Sequence, residues 1–304
     1  MHVLESNDFV VTSEIGPPRG ADKTLVLERT RLVMDYCDAI NITDNIRGIP
    51  SMSSATCAHF VLDAGAEPIM QMSTRDRNRI SIQSELYSAY ALGIRNILFI
   101  TGDHTLLGSH PEAKTVYDID SIQALGLASH LMGGTDLAGD KLEGTPEFFL
   151  GSTFNPYADP LELHVIRAEK KRDAGAKFFQ TQAIFDTARL ETFMDKAADL
   201  KLRVLAGITP LKGPIMANFM NKSVPGIKIP EEVIKRLEAA GRGLKGEKKR
   251  EATRAEGLLI ATEVIRAVRR IKGIHGVHLM GIDWEESIPE IVKSAGLYPR
   301  PEVR

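Results

Sequence analysis

Cysteine is nearly absent from this sequence: Cys37 and Cys57 are the only two in 304 residues. They form no Cys-x-x-Cys and fit no zinc spacing, which excludes a disulfide scaffold and fits a reduced, cytoplasmic setting. Neither sign of charge prevails. Lys and Arg number 38 against 40 Asp and Glu, a net charge of −2, so nothing marks a nucleic-acid binder. No run approaches the roughly 18 consecutive apolar residues of a membrane span, and the first eight residues lack the basic and apolar regions of a signal peptide. Also missing are G-x-G-x-x-G after the first strand, G-x-x-x-x-G-K-[ST], H-E-x-x-H and G-x-S-x-G, and with them the Rossmann, P-loop, zincin and α/β-hydrolase sites. No metal site is expected either. His275 and His278 have an H-x-x-H spacing, but on a strand the two rings face opposite ways.

What is present is an ordinary globular composition, 43% hydrophobic and 26% charged, patterned as alternating short and long segments. Strands are expected near Phe9–Ser13, Ala39–Thr43, Glu67–Met72, Asn96–Ile100, Phe148–Ser152, Lys177–Gln180, Arg203–Ala206 and Gly276–Leu279, each followed by a helical pattern. Eight such βα units fit a single (β/α)8 barrel better than a doubly wound sheet. No linker or composition shift divides residues 1–304, which are read as one domain without a regulatory domain. Residues 104–114 and 133–144 read as insertions, and about two extra helices, one over Pro230–Ala240, lie between strands seven and eight. The Lys- and Arg-rich stretch Arg242–Arg254 reads as a solvated helix face. Met70, Met72 and Met280 are expected to pack the barrel interior.

A (β/α)8 barrel carries its site at the C-terminal ends of its strands. The residues just past the expected strands form a polar ring: Glu14, Thr43-Asp44, Ser73 to Asp76, Thr101-Gly102-Asp103, Asn155, Thr181-Gln182 and Thr209. Glu14 and Asp103 are two carboxylates suited to divided acid and electrostatic roles. Pro17-Pro18 stiffens the turn after Glu14. Lys170 and Lys171, with Arg167, form either an exposed helix face or an anion clamp.

In this order the strand-end residues resemble the methylenetetrahydrofolate reductase family, flavoprotein (β/α)8 barrels. The specific pieces are Ser13-Glu14-Ile15-Gly16-Pro17-Pro18, Asn41-Ile42-Thr43-Asp44, Phe99-Ile100-Thr101-Gly102-Asp103, the stretch from Asp173 to Asp186, Ala206-Gly207-Ile208-Thr209-Pro210 and Gly276-Val277-His278-Leu279-Met280. The resemblance implies an enzyme that reduces 5,10-methylenetetrahydrofolate to 5-methyltetrahydrofolate by ping-pong hydride transfer through FAD rather than FMN, with NADH or NADPH as donor. It gives Glu14 the role of proton donor, and places Asp103 beside the flavin and the folate. Gln182 would line the shared nicotinamide and folate site. Thr43, Gln71, Thr101, Gly102, Tyr117, Lys170 and Lys171 fall at flavin-contacting positions, the lysines near the pyrophosphate. Gln71 stands where many members carry a histidine, and Met216 replaces a more polar neighbourhood. Two alternatives remain open: the same flavin barrel fed by a partner electron-transfer subunit, and a non-catalytic scaffold. A homo-oligomer is expected.

Overall fold

The computed structural model describes residues 8–224 and 226–301. Among them, eight parallel strands close in sequence order into a barrel: β1 (Val10–Ile15), β2 (Ala39–Ile42), β3 (Pro68–Ser73), β4 (Asn96–Ile100), β5 (Phe149–Phe154), β6 (Phe178–Ala183), β7 (Val204–Ile208) and β8 (Ile274–Leu279). β1 pairs with β8 through Val10 opposite Gly276 and Thr12 opposite His278, which closes the ring. The outer layer comprises α1 (Lys23–Val33), α2 (Ser54–Asp63), α3 (Arg79–Ala91), α4 (Ser121–Leu131), α5 (Leu161–Asp173), α6 (Thr187–Lys196), α7 (Pro214–Ser223), α8 (Glu231–Ala240), α9 (Gly246–Val268) and α10 (Ser287–Ser294). The two extra helices expected before the last strand are α7 and α8. No helix among the described residues is long and apolar enough to cross a membrane.

Asx side chains start four of the helices. Asp22, Asn78, Asp120 and Asp186 each accept a backbone N–H of the first turn, and Asp120 with Gln123 completes a capping box. These caps end the βα loops and so fix where the strand-end residues stand.

Strand side chains alternate between the barrel interior and the helix layer. Inward, Val10, Ala39, Ile69, Leu98, Phe178 and Leu205 form an apolar floor, and Phe149 stacks on Phe178 with ring centroids 5.6 Å apart. Gly151 makes room for that plug, since a Cβ there would come within 2.3 Å of the Phe178 ring. Met70 and Met72 correct the expectation. They point outward into the large core between sheet and helices, while Ile69 and Gln71 of the same strand face inward. Met280 packs instead with the apolar cluster under α7, at the rim.

Candidate active site at the barrel mouth

Two cavities open over the C-terminal ends of the strands. The larger, about 1200 Å³, is lined at its base by Glu14, Thr43, Asp103, Gln182 and Thr209, and at its rim by Ile215, Met216 and Phe219 of α7. The smaller, about 420 Å³, is lined by Thr101, Gly102, Asp103, Arg167, Lys171 and Gln182, among others. Asp103 and Gln182 border both, so the cavities meet there.

Glu14 occupies an inward position near the top of β1. The turn that follows is tied down by Arg29, whose Nη1 donates to Gly16 O at 2.5 Å and whose Nε lies 3.7 Å from Glu285. Burial raises the Glu285 carboxyl above the usual range, against the pull of Arg29. Beneath Glu14, His278 Nε2 lies 3.6 Å from Glu14 Oε2, and its Nδ1 lies 2.9 Å from Thr12 Oγ1.

Asp103 stands on a loop held from behind by Arg75, which is fully buried. The guanidinium donates to Asp103 O (3.1 Å), Asn45 O (3.0 Å) and the Asp76 carboxylate (2.6 Å), joining the loops after β2, β3 and β4. The hydrogen bonds to Asp76 raise the Arg75 pKa, so this charge is permanent. Gly102 has φ +85°, a left-handed turn that L side chains rarely adopt, and a Cβ there would lie 3.1 Å from Ser73 Cβ and Arg75 Cβ.

Gln182 reaches the mouth through an irregularity in β6. The register with β7 shifts between Gln180 and Ala183. Thr181 Oγ1 accepts from Gly207 N (2.8 Å) and donates to Gln182 O (2.7 Å), while Gln182 Oε1 accepts from Ala183 N (3.0 Å). A β-bulge of this kind re-aims a side chain at a barrel rim.

Lys171 is 7% exposed, and its Nζ donates to Thr153 O at 2.5 Å. Burial, with Arg167 nearby, pulls its pKa down to about 8. Among the described residues it forms no ion pair, and Asp120 offsets the burial only in part, so a cation lines the small cavity with no carboxylate bonded to it.

The structure therefore brings Glu14, Thr43, Asp103 and Gln182 to one cavity and Thr101, Gly102, Asp103, Lys171 and Gln182 to the other. Three expected site residues line neither. Lys170 is exposed on α5, because consecutive helical residues are about 100° apart and only one of the pair can face the sheet. Tyr117 supports the site indirectly, its hydroxyl donating to Gly102 O at 3.2 Å. Gln71 is buried facing the barrel interior. Sequence reasoning placed Arg75 in the polar ring and His278 in a family motif but gave neither a role in the site. The signal for His278 was its inward parity on β8, two residues beyond Gly276.

Ionisable side chains gathered at the C-terminal ends of a closed eight-stranded barrel give the layout of (β/α)8 enzymes. The family model for methylenetetrahydrofolate reductase matches residues 1–296, and the chain belongs to that family. It is similar to a probable methylenetetrahydrofolate reductase (NADPH) of Caenorhabditis elegans, 25% identical over 250 residues, covering 81% of this chain and 35% of that protein. Methylenetetrahydrofolate reductase 2 of Schizosaccharomyces pombe is 24% identical over 237 residues, covering 75% and 35%. The matched region thus spans about a third of the length of these relatives. Among solved structures, an uncharacterized protein from Clostridium thermocellum, described as binding two copies of 5-methyl-5,6,7,8-tetrahydrofolic acid, shares the fold. Its TM-score is 0.64 at 15% identity, with 96% of each chain covered.

Proposed function

We propose that this chain reduces 5,10-methylenetetrahydrofolate to 5-methyltetrahydrofolate, using bound FAD and a nicotinamide donor. The observation that carries the reading is Glu14: a carboxyl on a braced turn, facing the same cavity as Asp103 and Gln182. Family membership and the folate bound to the Clostridium protein support the substrate class, and the name of the C. elegans relative supports NADPH.

The residues fit a flavin nucleotide. Lys171 is a buried cation without a carboxylate partner among the described residues, beside Arg167, which suits a phosphate or pyrophosphate. The Thr43 and Thr209 hydroxyls are buried at the mouth without hydrogen-bond partners, which suits a polar ligand in the larger cavity. Thr101, Gly102, Asp103 and Lys171 would hold the group, which when bound supplies hydride transfer between nicotinamide and folate.

Glu14 then has one task. It gives its proton to a nitrogen of the folate imidazolidine ring; the O–H bond breaks, an N–H bond forms, and the C–N pair stays on that nitrogen. The carbon left behind becomes an iminium able to accept hydride. Asp103 and Gln182 orient the pterin, and the apolar wall of Ile215, Met216 and Phe219 takes the flat body of the substrate.

A second reading, in which electrons come from a partner protein, is favoured by one observation: Ile215 is 87% exposed at the rim. One experiment tests both. The protein reconstituted with FAD should stay yellow after desalting, bleach anaerobically with NADPH or NADH, and regain colour on addition of methylenetetrahydrofolate. A colourless protein refutes the cofactor assignment. Colour that never returns refutes the substrate, and bleaching only by chemical reductants favours the partner.

A further inference from the structure

The polar side chains inside the barrel form one connected line. Asn41 and Gln180 face each other as a reciprocal amide pair: Asn41 Nδ2 donates to Gln180 Oε1 at 2.7 Å, and Gln180 Nε2 donates to Asn41 Oδ1 at 3.1 Å. The second hydrogen of Gln180 Nε2 points to Thr12 Oγ1 at 3.4 Å. Thr12 has a single proton of its own, and its next neighbour is His278 Nδ1 at 2.9 Å. Oγ1 has room to accept twice, but Thr12 is buried and its own proton has no recipient among its hydrogen-bond neighbours other than Nδ1, so with Gln180 donating into it the hydroxyl donates to Nδ1. A neutral imidazole whose Nδ1 accepts carries its proton on Nε2. Nε2 is the nitrogen 3.6 Å from Glu14 Oε2. An ionised Glu14 at the far end selects the same tautomer, because the alternative sets an imidazole lone pair against a carboxylate oxygen.

We propose that His278 is a positioning residue: held as its Nε2–H form by this one-way line, it directs the acidic proton of Glu14 to Oε1, the oxygen left for the cavity. A proton on Oε2 would meet Nε2–H, donor against donor. On Oε1 it is free to point outward, while Oε2 still receives the imidazole N–H. When the proton passes to the folate nitrogen, the same N–H faces the carboxylate that forms. The opposite order, with both amides turned over and Nδ1 protonated, would let Glu14 donate inward and waste its proton. The inference rests on the reading of Glu14 as the acid, and its first test does not need folate turnover.

The full-length protein is labelled with ¹⁵N-histidine, and a two-bond ¹H–¹⁵N correlation distinguishes the tautomers by their cross-peak patterns. The His278 pattern is identified by its loss in His278→Gln. The expected result is Nε2–H in the unsubstituted protein and in Thr12→Ser, which keeps the hydroxyl, and in Thr12→Val a downfield move of the Nδ1 resonance toward that of an imidazole nitrogen that has lost its hydrogen bond. Nδ1–H in the unsubstituted protein overturns the proposal. Kinetics supplies the second test. Thr12→Val should slow folate reduction by about 10- to 100-fold, the range for losing an orienting outer partner, with KM and NADPH oxidation by an artificial quinone unchanged. Equal slowing of both reactions, or of neither, overturns the positioning role. If no folate is turned over at all, the proposed function falls, and the tautomer still decides this proposal.

Discussion

Replacing Lys171 with methionine is expected to make the ligand-free protein more stable and its grip on an anionic ligand weaker. The lysine is buried with no ion-pair partner and only the more distant Asp120 to offset the burial, and its pKa falls from the ordinary 10.5 to about 8. That gap, at 1.36 kcal/mol per pH unit, makes the buried charge cost about 3 kcal/mol at neutral pH. Methionine removes the cost and keeps the unbranched stem, but forfeits the hydrogen bond to Thr153 O, about 1–2 kcal/mol. The net gain is about 1–2 kcal/mol, a rise in Tm of roughly 2–4 °C. The pH dependence gives the sign. Between about pH 8 and 10.5 the unfolded chain holds a proton at this position that the folded chain has released, so wild-type stability rises with pH across that window. The advantage of methionine is therefore full below about pH 8 and fades progressively across that window. Toward FAD the order reverses, since a charge-assisted contact to phosphate is worth about 1.5–3 kcal/mol, or roughly tenfold to a hundredfold in Kd. Calorimetry of both ligand-free proteins at pH 7 and pH 9.5, with FAD titrations at pH 7, checks this. A methionine variant that is less stable by the same amount at both pH values would refute the reasoning.

Three further outcomes follow from the geometry. Lys170→Ala should leave FAD retention and Tm unchanged, because that side chain is exposed on α5; a loss of bound flavin on desalting would show that it reaches the ligand after all. Glu14→Gln should leave anaerobic bleaching by NAD(P)H near the unsubstituted rate while slowing methylenetetrahydrofolate reduction by about 10²–10⁴-fold, the usual worth of a general acid; stopped-flow measurements that find both steps slowed alike would make Glu14 a structural residue. Phe178→Ala should cost about 3–5 kcal/mol by emptying the barrel floor. Urea denaturation showing a loss under about 1 kcal/mol would mean the interior does not pack on that ring.

The barrel itself was legible because each strand is a short apolar run between long helical patterns, and all eight fall within a few residues of their expected places. The direction each side chain faces was harder to read. All six residues of β3 are buried, so hydropathy cannot say which alternate set faces inward. Only the register with β2 and β4 does, and it turns Gln71 inward and Met70 and Met72 outward. The strand-end residues Glu14, Thr43, Asp103 and Gln182 were readable because position at a strand's end is a one-dimensional property. His278 was not, because its partners Thr12 and Glu14 lie on β1 and meet it only when the first and last strands pair. Lys170 and Lys171 are equivalent in composition, and a helix separates them by rotation alone.

The aromatic plug at the bottom of the barrel makes the interior a vessel with one opening. Val10, Leu98, Phe178 and Leu205 leave no exposed surface at that end, so water and protons reach Glu14 and His278 by the same door as the ligand. Once a substrate covers that door, the number of exchangeable protons inside is fixed until it leaves. With Glu14 as the proposed acid, the proton it gives up would be replaced only after the mouth clears. For the proposed reaction this links the recharging of the acid to product departure, and it predicts that a lingering product holds the site in its spent, deprotonated form.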